Sequence, residues 1–243
     1  MKRRPHSRRQ GEAENAGREG GRDERKLRTR RALLDAALQL LEGERSFSSL
    51  SLREVTKGAG ITPAAFYRHF SGMEDLGHAL IEDSFRSLHV LMRQAREGAL
   101  PSTHMIRASV ATFLDHVAAH RAHFRFIAKE RFSGSSVIRM AIRKEIRLWI
   151  GDLAVDLSRF PALAKFSAED LQMLAGMMVN IVIGGTEVLL DTPPADTEAL
   201  QRIYRLTEKQ MRLVLLGAAL WDSNNARADE RSPPSSTARS RAG

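Results

Sequence analysis

From Lys26 to Trp221 the apolar residues of this chain recur at three- and four-residue spacings, and that one period excludes most folds open to 243 residues. The first clear face is Leu33, Ala36, Ala37, Leu40 and Leu41, and Gly43 stops it. Ser51-Leu52-Arg53-Glu54 is a capping box, in which Ser51 and Glu54 satisfy each other's exposed amides. It opens a short helix with Leu52 and Val55 facing inward, ended by Gly58-Ala59-Gly60. Thr62-Pro63 starts the next, with a hydroxyl at the cap and proline where no amide is required, and this helix is predicted to run to Phe70. Ser71-Gly72-Met73-Glu74 predicts a second capping box and a long helix to about Ala99, lined inside by Leu76, Leu80, Leu88 and Leu91. Beyond Pro101 five more helices are expected, over 102–119, 121–131, 135–159, 168–191 and 196–221, with a cap at Ser167 and breaks at Pro161 and Pro193-Pro194. Period-two alternation and hairpin dipeptides between apolar runs are missing, as is any internal repeat. The fold class is all-α.

The charge sorts the chain further. Residues 1–31 hold 12 Lys and Arg against 5 Asp and Glu, and residues 222–243 hold four against three. The body between them has 22 against 21, so a nearly neutral globule carries a cationic arm. Neither end has enough apolar surface to offset chain entropy, so 1–24 and 222–243 are expected to be disordered. The expected division is therefore a basic arm 1–24, a three-helix unit 25–75, a larger helical unit 76–221 and a tail 222–243. There is no cysteine, which excludes disulfides, thiol nucleophiles and thiolate metal sites. The longest apolar stretch, Met173 to Gly185, is interrupted by Asn180 and falls short of the roughly 20 residues of a bilayer span. The basic N-terminus has no apolar segment behind it, so no secretory signal and no membrane insertion are expected, and the reading is cytoplasmic.

Two short helices joined by Lys57-Gly58-Ala59-Gly60-Ile61 meet the needs of a helix-turn-helix: glycine for the tight turn and one apolar residue, Ile61, for the corner. Phe66 and Phe70 lie four apart and can both enter the core. Small residues at the leading end of the second helix, Ala64 above all, let it approach base edges in a major groove, where Thr and Ala methyls can touch thymine methyls. Tyr67 and His69 can each donate a hydrogen bond to phosphate. On spacing alone the same pattern is also that of an ordinary pair of packed helices.

Leu50-Ser51-Leu52-Arg53-Glu54-Val55, then Ala59-Gly60-Ile61-Thr62-Pro63, then Phe66-Tyr67-Arg68-His69-Phe70 resembles the TetR family of one-component repressors over about residues 27–80. The resemblance implies an all-α homodimer on a palindromic operator in double-stranded DNA, with three N-terminal helices on the DNA and a larger C-terminal domain for ligand and dimer contacts. The residues expected to meet DNA are Arg28, Thr29, Arg30, Ser51, Arg53, Thr62, Pro63, Ala64, Ala65, Tyr67, Arg68 and His69. Where the family often has a phosphate-touching lysine this chain has Met73. Residues 32–75 hold four basic and six acidic side chains, so the arm, through Lys26, Arg28, Arg30 and Arg31, is expected to supply the long-range attraction to DNA. The run Glu44 to Val55, Asp75-Leu76-Gly77, Leu91-Met92-Arg93-Gln94-Ala95-Arg96 and Lys129-Glu130-Arg131 followed by Ser133-Gly134 is similar to the FabR/DesT subgroup. That similarity implies control of unsaturated fatty-acid synthesis or desaturation genes by long-chain acyl-CoA or acyl carrier protein thioesters, with unsaturated chains favouring the DNA-bound form.

Such a sensor needs an apolar tunnel with a polar mouth. The residues expected to hold ligand are Phe113, Phe124, Ile127, Arg131, Trp149, Met177, Met178 and Val182, with Phe126 and Met173 as further apolar candidates; each apolar one also fits as ordinary core. Arg125, Lys129, Arg131, Arg143 and Arg147 can meet coenzyme A phosphates or an acidic carrier, or form a solvated helix face. Gly176, Gly184 and Gly185, with the stripe Leu213, Leu216, Leu220 and Trp221, mark the last two helices as a dimer interface, although such a stripe can equally pack inside one subunit. Filling the tunnel is expected to pivot the helix 72–99 and change the spacing of two reading helices about 34 Å or more apart. A TetR-type regulator of efflux or other genes, answering to a different hydrophobe, is the alternative. An acyl-handling enzyme is a third reading, and the chain has no Gly-x-Ser-x-Gly, His-Glu-x-x-His or phosphate-binding glycine loop to support it. His104, His116, His120 and His123 approach metal-ligand spacing without a carboxylate partner motif, so no metal and no resident cofactor are expected.

Overall fold

The computed structural model describes residues 6–42, 45–96, 103–132, 135–221 and 223, and no strand occurs among them. In chain order the elements are α1 His6–Leu40, a 3₁₀ turn Phe47–Ser49, α2 Leu52–Gly58, α3 Pro63–Phe66, α4 Met73–Arg96, α5 Thr103–Ala119, α6 Arg121–Glu130, α7 Ser136–Ser158, a 3₁₀ turn Pro161–Leu163, α8 Ala168–Asp191 and α9 Thr197–Ala218. The five helices expected beyond Pro101 are present, with ends shifted by at most three residues. The expected stop at Gly43, the end near Ala99, Pro101, Ser133-Gly134 and the tail, Ser223 apart, lie outside the described residues.

The largest departure is α1, which is helical from His6 where composition predicts a disordered arm to residue 24. Residues 21–28 are exposed throughout, so helix forms there without burying a face. The support is local: Arg, Lys and Glu are good helix formers, and Glu24 precedes Arg28 by four residues. Burial starts at Leu33 and continues through Leu34, Ala36, Ala37, Leu38 and Leu41.

The caps hold with one correction. The Glu54 amide donates to Ser51 Oγ at 3.3 Å and the Ser51 amide donates back to Glu54 Oε2 at 3.0 Å. Thr62 and Ser167 cap α3 and α8 through the amides of Ala65 and Asp170. Ahead of α4, however, the Ser71 amide donates to Asp75 Oδ2 at 2.8 Å rather than to Glu74. The helix begins at Met73, so Asp75 is the third residue, the one whose carboxylate reaches back to the chain entering the helix.

The helix expected over 62–70 is also shorter: α3 is a single turn. Beyond it the Arg68 amide donates to Ala65 O at 3.3 Å and the His69 amide to Phe66 O at 2.8 Å, the tighter winding common where helices end.

The chain forms two compact units, 1–88 with 119–145 and 89–118 with 146–243, so it passes between them inside α4, at the α5–α6 junction and inside α7. They do not follow the sequence boundary at 75/76, because α6 and the start of α7 belong with the N-terminal helices. The first unit is built on Leu33, Ala37, Val55, Phe66, Phe70, Leu76 and Leu80, each at most 1% exposed.

In the second unit α8 and α9 pack together, and a Cβ added to Gly185 would stand 2.7 Å from Thr207 Oγ1, so the two backbones approach closely there. The ring of Phe113 stacks on Trp149 at 5.4 Å, and Tyr204 donates to Asp115 Oδ1 at 2.7 Å, tying α9 to α5. By length and composition α8 could cross a membrane, with mean hydropathy 1.8, which corrects the expectation that no segment is long enough. Packing accounts for part of its apolarity: Leu171, Leu174, Ala175, Val179, Val182, Leu189 and Leu190 are buried, while Met173, Met177 and Val188 are exposed.

Between α2 and α3 the Ile61 amide donates to Thr56 O at 3.0 Å and the Gly60 amide to Lys57 O at 3.2 Å, the bond pair of a Schellman motif with Gly60 at φ +67°. Replacing Gly60 by alanine leaves this turn intact only by placing a Cβ in the left-handed region. The expected loss is about 1–2 kcal/mol, read as a lower urea midpoint at unchanged m-value.

Candidate nucleic-acid interface and ligand cavity

The surface around α3 is set by burial of the opposite side. Phe66 and Phe70 are 0% and 1% exposed, which turns Thr62, Pro63, Ala64, Tyr67 and Arg68 outward. Ala65 is half-buried and contributes little more than its methyl. The Tyr67 ring stands edge-on to Phe66 at 5.6 Å with 62% of the residue exposed, so its hydroxyl reaches outward from a fixed base. The Thr62 hydroxyl accepts the Ala65 amide and keeps its proton for an outside acceptor.

The α1 residues next to this surface supply its charge. The Arg30 guanidinium lies 4.5 Å over the Phe70 ring, which docks α1 against the end of the α3 turn. Burial, then the charges of Lys26, Arg30 and Arg68, hold the His69 imidazole below its ordinary value of 6.5. Its Nδ1 is buried with no hydrogen-bond partner. Lys26, Arg30 and Arg68 therefore gather as one cationic patch around the His69 imidazole, beside the small leading face of α3. Arg28 and Arg53 are exposed.

Two expected contacts have their hydroxyls already engaged. Ser51 Oγ accepts the Glu54 amide and donates to Glu54 Oε2 at 2.7 Å, and Thr29 Oγ1 donates to Arg25 O at 2.9 Å. The bonds from Ser51 and Arg45 hold the Glu54 carboxyl below its usual range, which keeps the cap charged and closed. Lys26, expected only as part of the arm, belongs to the patch itself.

In the second unit a cavity of about 340 Å³ lies between α5, α7, α8 and α9. Of the residues expected to hold ligand, Trp149, Met178 and Val182 line it. Phe113 is behind the wall, stacked on Trp149, and Met177 is 41% exposed. Phe124, Ile127 and Arg131 belong to the first unit and do not line it; Phe124 and Ile127 are core there, and Arg131 lies 4.3 Å over the Phe132 ring. The sequence groups them with the cavity because α6 follows α5 at once, yet the chain changes units at that junction. Leu153, Leu157, Phe160 and Met211 complete the wall, and the three- and four-residue steps along α7 were the available signal for them. Polar lining is limited to Ser109, Asp156 and Arg212, the last two paired with Arg159 and Glu208 at 3.4 Å. Arg125, Lys129 and Arg143 also sit in the first unit.

Among the described residues no three His, Asp or Glu side chains converge as metal ligands. His123 pairs with Asp83 at 3.5 Å in the first unit, while His116 belongs to the second.

Comparison with known proteins matches two stretches of the chain. Residues 33–80 match the family model described as bacterial regulatory proteins, tetR family, and residues 102–215 match the tetracyclin repressor-like C-terminal domain. Among solved structures, the fatty acid degradation regulator FadR from Bacillus halodurans is similar with a TM-score of 0.61 and 17% identity, over 77% of this chain and 94% of that one. A transcriptional regulator from Rhodococcus sp. gives 0.61 and 18%, over 79% and 96% of the two chains. A TetR-family regulator from Streptomyces coelicolor gives 0.59 and 20% over the same shares.

The depressed His69 sets a pH test of the patch. In free protein its imidazole titrates below the ordinary value of 6.5. A phosphate placed against it favours the cation, so complex formation takes up a proton between the two values, and affinity for DNA rises as pH falls through that window. The expected result is a steeper gain in affinity between about pH 7.5 and 5.5 for wild type than for His69→Gln, measured by fluorescence anisotropy on labelled duplex.

Proposed function

The chain belongs to the TetR family of bacterial transcriptional regulators, which are DNA-binding proteins rather than enzymes, and we propose that it is an acyl-chain-responsive repressor of fatty-acid genes. In this reading residues 25–75 meet a palindromic operator, residues 76–221 hold ligand and dimer contacts, and the protein works in the cytoplasm where its DNA is. The observation that carries the ligand class is the cavity: an apolar enclosure walled by Trp149, Met178, Val182 and Leu157, with three polar side chains on its lining. A long hydrocarbon chain gains most from such a wall, because each buried CH₂ contributes about 0.8 kcal/mol and little polar surface is stranded. The resemblance to the FabR/DesT subgroup points the same way, and a solved neighbour is a regulator of fatty acid degradation.

Dimerisation fits the surface of α8 and α9. Met173, Met177 and Val188 on α8 and Leu206, Leu213, Leu216 and Leu220 on or just past α9 are all more than 40% exposed. Such a run of apolar side chains is large for a surface left to water. Gly176 and Gly184 have nothing within 4 Å, while Gly185 is already used against Thr207. A two-fold pairing of this face would present two copies of α3 to one operator.

One observation favours a second reading. Among the described residues Arg212 is the one basic side chain on the cavity lining; Arg125, Lys129, Arg131 and Arg143 lie in the other unit, and Arg147 shares the cavity's unit without lining it. A free fatty acid or another hydrophobe needs one counter-charge or none, whereas coenzyme A brings several phosphates. Titrating a protein–operator gel shift with oleoyl and palmitoyl thioesters, and with the free acids, separates these. The acyl-thioester reading expects unequal effects of the two thioesters at equal concentration; equal effects reject chain discrimination, and a response to free acids alone selects the second reading. Val182→Trp, which fills the cavity, is expected to raise the thioester concentration needed by at least about tenfold while leaving ligand-free DNA binding within about twofold.

A further inference from the structure

Among the described residues one charged side chain is fully buried: Glu130, at the end of α6, 1% exposed. Its Oε1 accepts the Phe47 amide at 2.7 Å across 83 residues of sequence, and its Oε2 has no hydrogen-bond partner. Phe47, 4% exposed, meets Phe126 of α6 edge-on at 5.7 Å. Its ring also covers Gly77 of α4, where an added Cβ would stand 2.9 Å from Phe47 and 2.5 Å from Ile138 Cδ1 of α7.

The position of this cluster in the chain gives it meaning. The chain passes between the two compact units inside α4, at the α5–α6 junction and inside α7. The first-unit portions of α4 and α7, and α6 that follows the junction, meet at the Phe47 socket, through Gly77, Ile138, and Phe126 with Glu130. On the other side of Phe47 the loop leads straight to the reading helices. Arg45 donates to Ser49 O at 3.2 Å and to Glu54 Oε1 at 3.1 Å, and Glu54 closes the cap of α2. Residues 45–54 are thus tied at one end to Glu130 and at the other to α2, and α2 is fixed to α3 by the Gly60 turn.

A buried carboxylate with one idle oxygen is a costly way to fill space, and an apolar residue of similar size would pack there without that cost. What an apolar residue cannot do is accept the Phe47 amide, which would then be buried unpaired. We propose that Glu130 is a positioning residue for DNA recognition: by accepting the Phe47 amide it fixes where α2 and α3 stand against α4, α6 and α7. The acceptor oxygen does this, and the charge is dispensable. The proposal rests on the DNA-binding reading of α3.

The test uses full-length protein and a duplex carrying the DNA upstream of its own gene, with affinity measured across salt concentration. The slope of log K against log salt counts phosphates neutralised, at about 0.9 each. Lower stability alone reduces the active fraction without altering that slope. Glu130→Leu is expected to bind at least about tenfold more weakly with a slope shallower by about one or more. Glu130→Gln, which keeps the acceptor, is expected to match wild type within about twofold in affinity and in slope. Gly77→Ala, which displaces the Phe47 ring without touching the carboxylate, is expected to behave like Glu130→Leu. Wild type without salt-dependent binding defeats the DNA reading itself. With wild type binding, an unchanged Glu130→Leu overturns the proposal, and so does a Glu130→Gln as impaired as Glu130→Leu. If Glu130→Leu loses its helical circular dichroism, Gly77→Ala decides, and a wild-type slope there overturns the proposal.

Discussion

The angle between α2 and α3 depends on a backbone that only glycine adopts without strain. Gly60 at φ +67° lets the chain reverse within three residues, and the Ile61 and Gly60 amides satisfy carbonyls that the end of α2 would otherwise leave open. Everything that makes α3 a reading element follows from that angle. With α2 pinned by Val55, the turn sends Phe66 and Phe70 into the core, and a single α-helical turn is left with its small side chains outward. Close packing keeps it there: Gly58 stands 3.3 Å, measured from an added Cβ, from Ala36 of α1.

The structure separates two chemistries that the sequence had run together. Cation-rich α6 and the start of α7 belong with the DNA-facing helices, and the apolar cavity belongs wholly to the other unit. In the proposed reading, a ligand in that cavity would alter DNA affinity only by favouring one arrangement of the dimer over another. The chain supplies three covalent routes for such a preference, inside α4, at the α5–α6 junction and inside α7, and each enters the unit that contains α3.

Helix number, caps and turn were legible because they are local. A hydroxyl three residues before a carboxylate, a proline at a first turn or a glycine at a helix end has its effect within one turn of helix, so Ser51, Thr62, Ser167 and Gly60 could be assigned from their neighbours alone. Asp75 displaced Glu74 as the capping partner because the choice depends on where the first turn begins, a shift of one residue that periodicity does not resolve. The candidate site was less legible where it depends on contacts remote in sequence. Trp149, Met178 and Val182 reached the cavity, but Phe124 and Ile127 have the same apolar character and spacing and are core of the other unit. Glu130 stood out in the sequence only within the run Lys129-Glu130-Arg131, since nothing near it in sequence shows that the Phe47 amide stands 2.7 Å away.

Attraction and discrimination are carried by different stretches of the chain. Residues 32–75 hold more acidic than basic side chains, so the reading helices alone would not draw a duplex closer. The surplus charge is on α1, and the Arg30–Phe70 contact brings the basic end of that helix beside α3. In the proposed reading charge acts through counterion release, which depends on salt and is blind to sequence, whereas the methyls of Thr62, Ala64 and Ala65 would act on base edges at contact range, nearly indifferent to salt. A neutral reading face has a physical advantage in this division. It gains little from phosphates at a wrong sequence, so the energy that distinguishes one operator from another is not submerged in the energy that holds any DNA. The exposed stretch 21–28 of α1 fits the same logic, since cations along an exposed helix attract a polyanion without placing demands on the packing behind them.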